Sequence, residues 1–335
     1  MTTPLRWGIL GTGGIARAFT SDLLTLPDHE VAAVGSRAAG TAEAFASAHT
    51  GAGRPVPRAH GSYQALADDP DVDVIYVATP HSGHASAALT CIAGGKGVLV
   101  EKPFTMDVTE ADEVISAARA AGVFCMEAMW TRFNPAITRI RELLAEGAIG
   151  EVRTVEADFG FPADYDPAGR LFAPELGGGA LLDLGIYPIS LASMILGEPS
   201  TVLATAGLAP TGVDANTGIL LGYASDAVAV LHCSLSGLNP TRASITGTTG
   251  RIEIPPTFFR PESFTLVRRD AEPVTEEFVL PGLGYTFQAE EVARRIRAGE
   301  TESPLMTLDE TRSIMRTLDR ARTSIAFNAH PTASS

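Results

Sequence analysis

Through the first 150 residues the hydrophobic pattern alternates between two periods. Short apolar runs, RWGIL (6–10), VAAVGS (31–36), VDVIYVAT (72–79), GVLVE (97–101) and VFCMEAM (123–129), read as strands. Helical stretches fall between and after them, over about 14–26, at HASAALTCIAGG, over about 107–121 and at NPAITRIRELLAEG. Such alternation predicts an α/β unit, a doubly wound parallel sheet of Rossmann type with helices on both faces. After Gly150 the texture changes. EVRTVEADFGF opens a strand-rich region, interrupted by one apolar helix, ALLDLGIYPISLASMILG (180–197). STVLATAGL, TGILLGYAS, AVAVLHCSLSG, ASITGTTGRIEI and SFTLVRR then predict a large, open, mostly antiparallel or mixed sheet. Helices over about 285–298 and 307–325 follow, and the final PTASS reads as disordered. The division expected is a Rossmann domain over 1–125, an α/β domain over 126–305 and a C-terminal helix over 306–335 that packs back on the Rossmann domain.

Composition narrows the class. A chain of 335 residues exceeds one ordinary core, and 45% apolar with 19% charged residues describes a soluble globular protein. No apolar run reads as long enough to span a bilayer, and MTTPLRWGILG enters the first strand directly, so the expected location is cytoplasmic. A net charge of −14 speaks against nucleic acid and anionic membranes as partners. Cys91, Cys125 and Cys233 sit singly in apolar surroundings and read as reduced core residues, and the seven histidines lack metal-ligand spacing.

Three motifs carry chemistry. In GILGTGGIA, Gly11, Gly13 and Ala16 fit the G-x-G-x-x-G/A turn between strand and helix, which brings a dinucleotide pyrophosphate onto backbone N–H groups. Gly11, Thr12, Gly13, Gly14 and Ile15 form this candidate cradle. At the end of the second strand, where an NAD site carries Asp or Glu for the ribose 2′-OH, the chain has Ser36 and Arg37. A hydroxyl and a guanidinium suit a 2′-phosphate, so NADP is expected, with NAD the alternative. The third motif is VLVEKPF (98–104), where an apolar strand runs straight into Glu101, Lys102 and Pro103. Ligands of open α/β sheets bind at the carboxyl ends of strands, so Lys102 is a candidate for binding a substrate hydroxyl, with a snorkelling surface lysine, the commoner fate of lysines, as the alternative.

GILGTGGIA, YVATPHSGHASAAL, VEKPF, EAMWTRFNPAI and GGGALLDLGIYPI together resemble the glucose–fructose oxidoreductase/inositol dehydrogenase (Gfo/Idh/MocA) family over nearly the whole chain. MWTRFNP is most similar to its branch of dimeric dihydrodiol and NADP-dependent xylose dehydrogenases. The resemblance implies a second domain that supplies the substrate pocket and often the oligomer interface. It implies that Lys102 is catalytic, that Glu101 approaches the nicotinamide ribose and that the Lys102–Pro103 bond is cis. It also implies a D-x-x-x-H/Y element, here Asp183 and Tyr187, with tyrosine where many relatives carry histidine. Four residues apart in a helix, these two share a face.

The chemistry implied is hydride transfer between nicotinamide and a hydroxyl or carbonyl of a sugar or cyclic vicinal diol. Tyr187 acts as acid/base, and because free tyrosine titrates near ~10 it needs a cation, for which Lys102 is the candidate. Asp183 positions substrate or Lys102. Trp130 and Arg132 stand beside nicotinamide and substrate, or else form a hinge with Trp130 in the core. Thr79, Pro80, His81 and His84 line the cofactor edge, with His84 also a candidate for packing at a helix start. A homodimer or higher homo-oligomer is expected. Two other readings stay open: a ketoreductase acting on a nucleotide-linked sugar, and a dinucleotide-binding regulator without turnover.

Overall fold

The structure, a computed structural model, describes residues 3–50 and 53–329; PTASS lies outside them. The chain forms two compact units. The first runs through Phe133 and resumes over Leu280–Thr311; the second comprises Asn134–Val279 and resumes at Arg312.

This division differs from the expected one at both ends. Residues 280–305 belong with the first unit, because Leu283 and Tyr285 donate backbone N–H bonds to Asp22 (3.0 and 2.9 Å). Thr301 likewise accepts the Cys125 N–H at 2.9 Å. The last helix, Leu308–Ala329, does not pack wholly on the Rossmann unit. From Arg312 onward it belongs with the second, where Ser324 Oγ accepts the Ala204 N–H at 2.8 Å and donates to its carbonyl at 3.1 Å. Its amphipathic sequence shows that one face is buried but not against what.

The first unit holds six parallel strands: β1 (Leu5–Leu10), β2 (His29–Gly35), β3 (Arg58–His60), β4 (Val74–Val77), β5 (Gly97–Val100) and β6 (Cys125–Glu127). Their order is β3-β2-β1-β4-β5-β6, the doubly wound arrangement with its switch point between β1 and β4. β3 escaped the sequence reading because its three residues carry only Ala59 between Arg58 and His60. The Ala-rich helix Ala39–Ala48 and the short helix Tyr63–Ala67 were also unforeseen. Trp7 and Tyr76 pack on opposite sides of Phe19 in sequence but together in the core, with ring centroids 5.4 and 4.0 Å from it.

The second unit is an eight-stranded mixed sheet: β7 (Val152–Gly160), β8 (Thr201–Leu208), β9 (Asp214–Gly222), β10 (Val228–Ser234), β11 (Ala243–Gly247), β12 (Gly250–Ile254), β13 (Ser263–Arg268) and β14 (Ala271–Glu277). Its order is β14-β13-β12-β11-β7-β10-β9-β8, and only β7 and β10 pair in parallel. ASITGTTGRIEI is two strands joined by a turn, and the unforeseen β14 reads AEPVTEE, too polar to signal a buried strand. Along β10, Ala229, Leu231 and Cys233 are buried while Val228 and Val230 are exposed, so the strand alternates between an inner and an outer face.

The apolar helix expected over 180–197 begins instead as a π-helical turn, Leu181–Gly185, and becomes α-helical over Ile186–Leu196. Pro188 has no N–H to offer the carbonyl four residues back, which favours the wider first turn. The stretch Pro174–Leu196 is, by length and composition, long and apolar enough to cross a membrane, against the expectation of none. Most of it is buried inside the protein, as befits a helix that is apolar all round.

Candidate functional site

In the first unit, Gly11 follows β1 with φ +108°, and a Cβ there would lie 2.5 Å from the Ala78 carbonyl, so the turn admits only glycine. At Gly13 and Gly14 a Cβ would point into open space. The helix Gly14–Leu23 starts with no side-chain cap and no acidic residue in its first turn. Its amides and the positive end of its dipole are left for an anion. Beside this turn, after β4, Thr79 Oγ1 is buried without a hydrogen-bond partner. These residues fit the pyrophosphate and adjacent groups of a dinucleotide. Thr12 and Ile15 are half-buried in the same turn, and no carboxylate follows β2: half-buried Ser36 and exposed Arg37 stand there.

Lys102 follows β5 and is half-buried, and its bond to Pro103 is cis, as expected. Glu101 is buried, and its carboxylate accepts the Tyr76 hydroxyl and, at 3.1 Å, the Lys102 N–H. Pro80 is exposed and His81 half-buried, with the His81 and His84 rings 5.7 Å apart. His84 is buried at the start of the helix His84–Ala93, with Nδ1 2.8 Å from the Pro103 carbonyl and Nε2 3.0 Å from that of Thr79. Burial pushes it down to about 4, so it is neutral.

Trp130 is buried with its ring 4.6 Å from that of Tyr285, and buried Arg132 pairs with Glu310 at 2.7 Å. Sequence reasoning missed Glu127, the last residue of β6. It is fully buried, accepts the Phe104 N–H at 3.1 Å and the Thr311 hydroxyl at 3.3 Å, and burial pushes it up to about 7 against the pull of Arg132.

In the second unit, Asp183 lies in the π-helical turn and Tyr187 in the first α-helical turn, so their spacing is not that of a plain α-helix. Both are buried. Arg170 donates to Asp183 Oδ1 at 2.9 Å, a partner no sequence period pointed to. The Tyr187 ring sits 5.4 Å from those of both Phe159 and Phe259, which stack on each other at 4.4 Å. Asp214 anchors the π-helical turn: Oδ2 accepts the Leu181 N–H at 2.7 Å and the Thr217 hydroxyl at 2.6 Å. Among the described residues no cluster of metal ligands occurs.

Residues 5–129 match the oxidoreductase family with an NAD-binding Rossmann fold, and residues 137–253 the GFO/IDH/MocA C-terminal domain. The chain is 39% identical to a trans-1,2-dihydrobenzene-1,2-diol dehydrogenase of Xenopus laevis over 325 residues, covering 94% of this chain and 96% of that one. The enzyme of the same name from Mus musculus is 39% identical, with 96% and 97% covered. Among solved structures, a 3-ketoreductase from Actinomadura kijaniata in complex with TDP-benzene and NADP superposes with a TM-score of 0.82 at 27% identity, covering 96% and 98%. An aldose-aldose oxidoreductase from Caulobacter crescentus complexed with glycerol gives 0.86 at 26% identity, covering 97% and 98%. With both family regions matched and full-length relatives well above 30% identity, the chain belongs to the Gfo/Idh/MocA family and is an NAD(P)-dependent oxidoreductase acting on CH–OH groups.

Proposed function

We propose that the chain is an NADP-dependent dehydrogenase or reductase of a cyclic vicinal diol or sugar, with Tyr187 as acid/base and Lys102 as its helper. The observation that carries this reading is Tyr187 itself. It is a nearly buried phenol walled by the Phe159 and Phe259 rings, on the same helix as an Asp183 held by Arg170. Apolar rings suit the body of a cyclic substrate, and phenol, carboxylate and guanidinium suit its hydroxyls. Hydride chemistry is what the nicotinamide supplies. Tyr187 moves the hydroxyl proton, the Lys102 ammonium favours the phenolate and binds the reacting oxygen, and Asp183 orients one of them. Arg37 and Ser36 recognise the 2′-phosphate, and Glu101 stands toward the ribose. The relatives named dihydrodiol dehydrogenases and the NADP complex of the ketoreductase support the substrate class and the cofactor.

A homodimer completes the proposal. Leu203, Leu220 and Val230 are neighbours in register on the outer face of the sheet, exposed by 55, 44 and 49%. Such a patch is covered at lower free energy by a second copy than by water. A cytoplasmic location accords with free, buried Cys91, Cys125 and Cys233.

The ketoreductase neighbour with TDP-benzene favours one second reading, reduction of a nucleotide-linked keto sugar. NADPH absorbance with dihydrodiols, aldoses, α-dicarbonyls and a TDP-linked keto sugar separates the two. Turnover of a diol, aldose or dicarbonyl supports the first, and turnover of the TDP-sugar alone replaces it with the second. Tight NADPH binding with no turnover of any of them would leave a regulator.

A further inference from the structure

Two buried titratable side chains, Glu127 and His84, have no part in the chemistry above. Both close on the short segment that follows Lys102. The Phe104 N–H reaches Glu127 Oε1 at 3.1 Å, and the Pro103 carbonyl lies 2.8 Å from His84 Nδ1. On the other side of Lys102, the Glu101 N–H donates to Val77 at 3.0 Å, and the Lys102 N–H to the Glu101 carboxylate at 3.1 Å. The backbone is therefore held residue by residue from 101 to 104.

Neither side chain suits a merely structural post. Even with the pull of Arg132, burying a carboxyl to accept one amide and one hydroxyl costs more than an apolar residue with the amide turned elsewhere. A neutral imidazole can donate to only one of the two carbonyls flanking His84. What the pair achieves is placement: His84 stands between the Pro103 carbonyl of the segment and the Thr79 carbonyl after β4, and Glu127 ties the segment to the end of β6.

We propose that Glu127 and His84 are positioning residues for Lys102, each fixing one backbone group of the two residues that follow it. The proposal rests on the reading above in which Lys102 acts on the substrate.

The chain offers a direct probe, because it contains only two lysines, Lys96 and Lys102. Reductive methylation with ¹³C-formaldehyde labels both side chains, and Lys96→Arg assigns their signals. In Glu127→Leu and in His84→Gln the Lys102 signal is expected to move. In unlabelled Glu127→Leu, kcat falls by about 10–100-fold with KM within about 2-fold, the effect of a small misplacement near the reacting atoms. Glu127→Gln, whose carbonyl still accepts from Phe104, brings signal and kcat back toward wild type. His84→Asn, whose amide stands in for Nδ1, brings the signal back. Thr311→Val, which removes only the hydroxyl that donates to Glu127, leaves the signal in place.

A Lys102 signal unmoved in folded Glu127→Leu or folded His84→Gln overturns the proposal. If Glu127→Leu does not fold, the two His84 variants decide. Full turnover by Lys102→Met would instead overturn the catalytic reading beneath it and leave the grip on the segment as packing.

Discussion

The indole N–H of Trp7 donates to Nδ1 of His29 at 3.0 Å, with both side chains sealed in the first unit. Burial pushes His29 down to about 4 from its ordinary 6.5, with Arg297 and Arg54 adding to the effect and Asp28 opposing it. Above about 6.5 the imidazole is neutral in both folded and unfolded chains. Below that the unfolded chain takes up the proton first, so stability is lost as pH falls from about 6.5 to about 4. The loss amounts to about 3 kcal/mol. Buried Glu127 acts with the opposite sign. Urea unfolding of wild type and His29→Gln across this window isolates the histidine, and parallel curves would refute the assignment.

Arg37→Ala is expected to weaken NADPH binding by about 1–3 kcal/mol, the range for a lost hydrogen bond to a charged group, and to leave NADH binding unchanged. Fluorescence titration with both cofactors checks this. Wild type that binds NADH at least as tightly as NADPH would remove the basis for the cofactor preference.

Tyr187→Phe retains the ring against Phe159 and Phe259 and removes only the hydroxyl. It should lower kcat by roughly 10²–10⁴ with cofactor affinity nearly unchanged. Lys102→Met should do similar damage, and the double variant little more, because groups acting on one proton are not additive. Near-normal turnover by Tyr187→Phe would reduce the tyrosine to a packing residue.

Asp214→Ala removes the acceptor for the Leu181 N–H and the Thr217 hydroxyl, leaving a buried amide at the start of the π-helical turn unpaired. A loss of about 1–3 kcal/mol in unfolding free energy is expected, with Asp214→Asn milder. Equal stability of Asp214→Ala and wild type would show that the turn holds itself.

Leu220→Glu with Val230→Glu places charge on the outer face of the sheet. By light scattering at micromolar concentration the variant is expected to be a monomer and wild type a dimer. A wild type that is itself monomeric there contradicts the homodimer.

The sequence revealed what is local and periodic. β4 and β5 are unbroken apolar runs, β1 is one but for Arg6, and the Gly11 turn, the Lys102 loop and the Asp183–Tyr187 pair are short motifs. Contacts between distant residues were not legible. Phe159 and Phe259 stack from opposite ends of the second unit's sequence, and Arg170 reaches Asp183 from a loop without periodicity. Glu127 read as one more residue of VFCMEAM, because only the fold brings Phe104 and Thr311 to it. The π-helical turn was hidden because its residues have the apolar pattern of an ordinary helix.

The return of the chain to its first unit bears on synthesis. When Phe133 leaves the ribosome, Asp22 has none of its donors from Leu283 and Tyr285, and Cys125 lacks the carbonyl of Thr301. The cofactor-binding unit is therefore not a module that matures first during translation. It stays unfinished until the second unit's sheet has been translated, and an exchange of cofactor units between relatives must carry both segments of sequence or leave a carboxylate stranded.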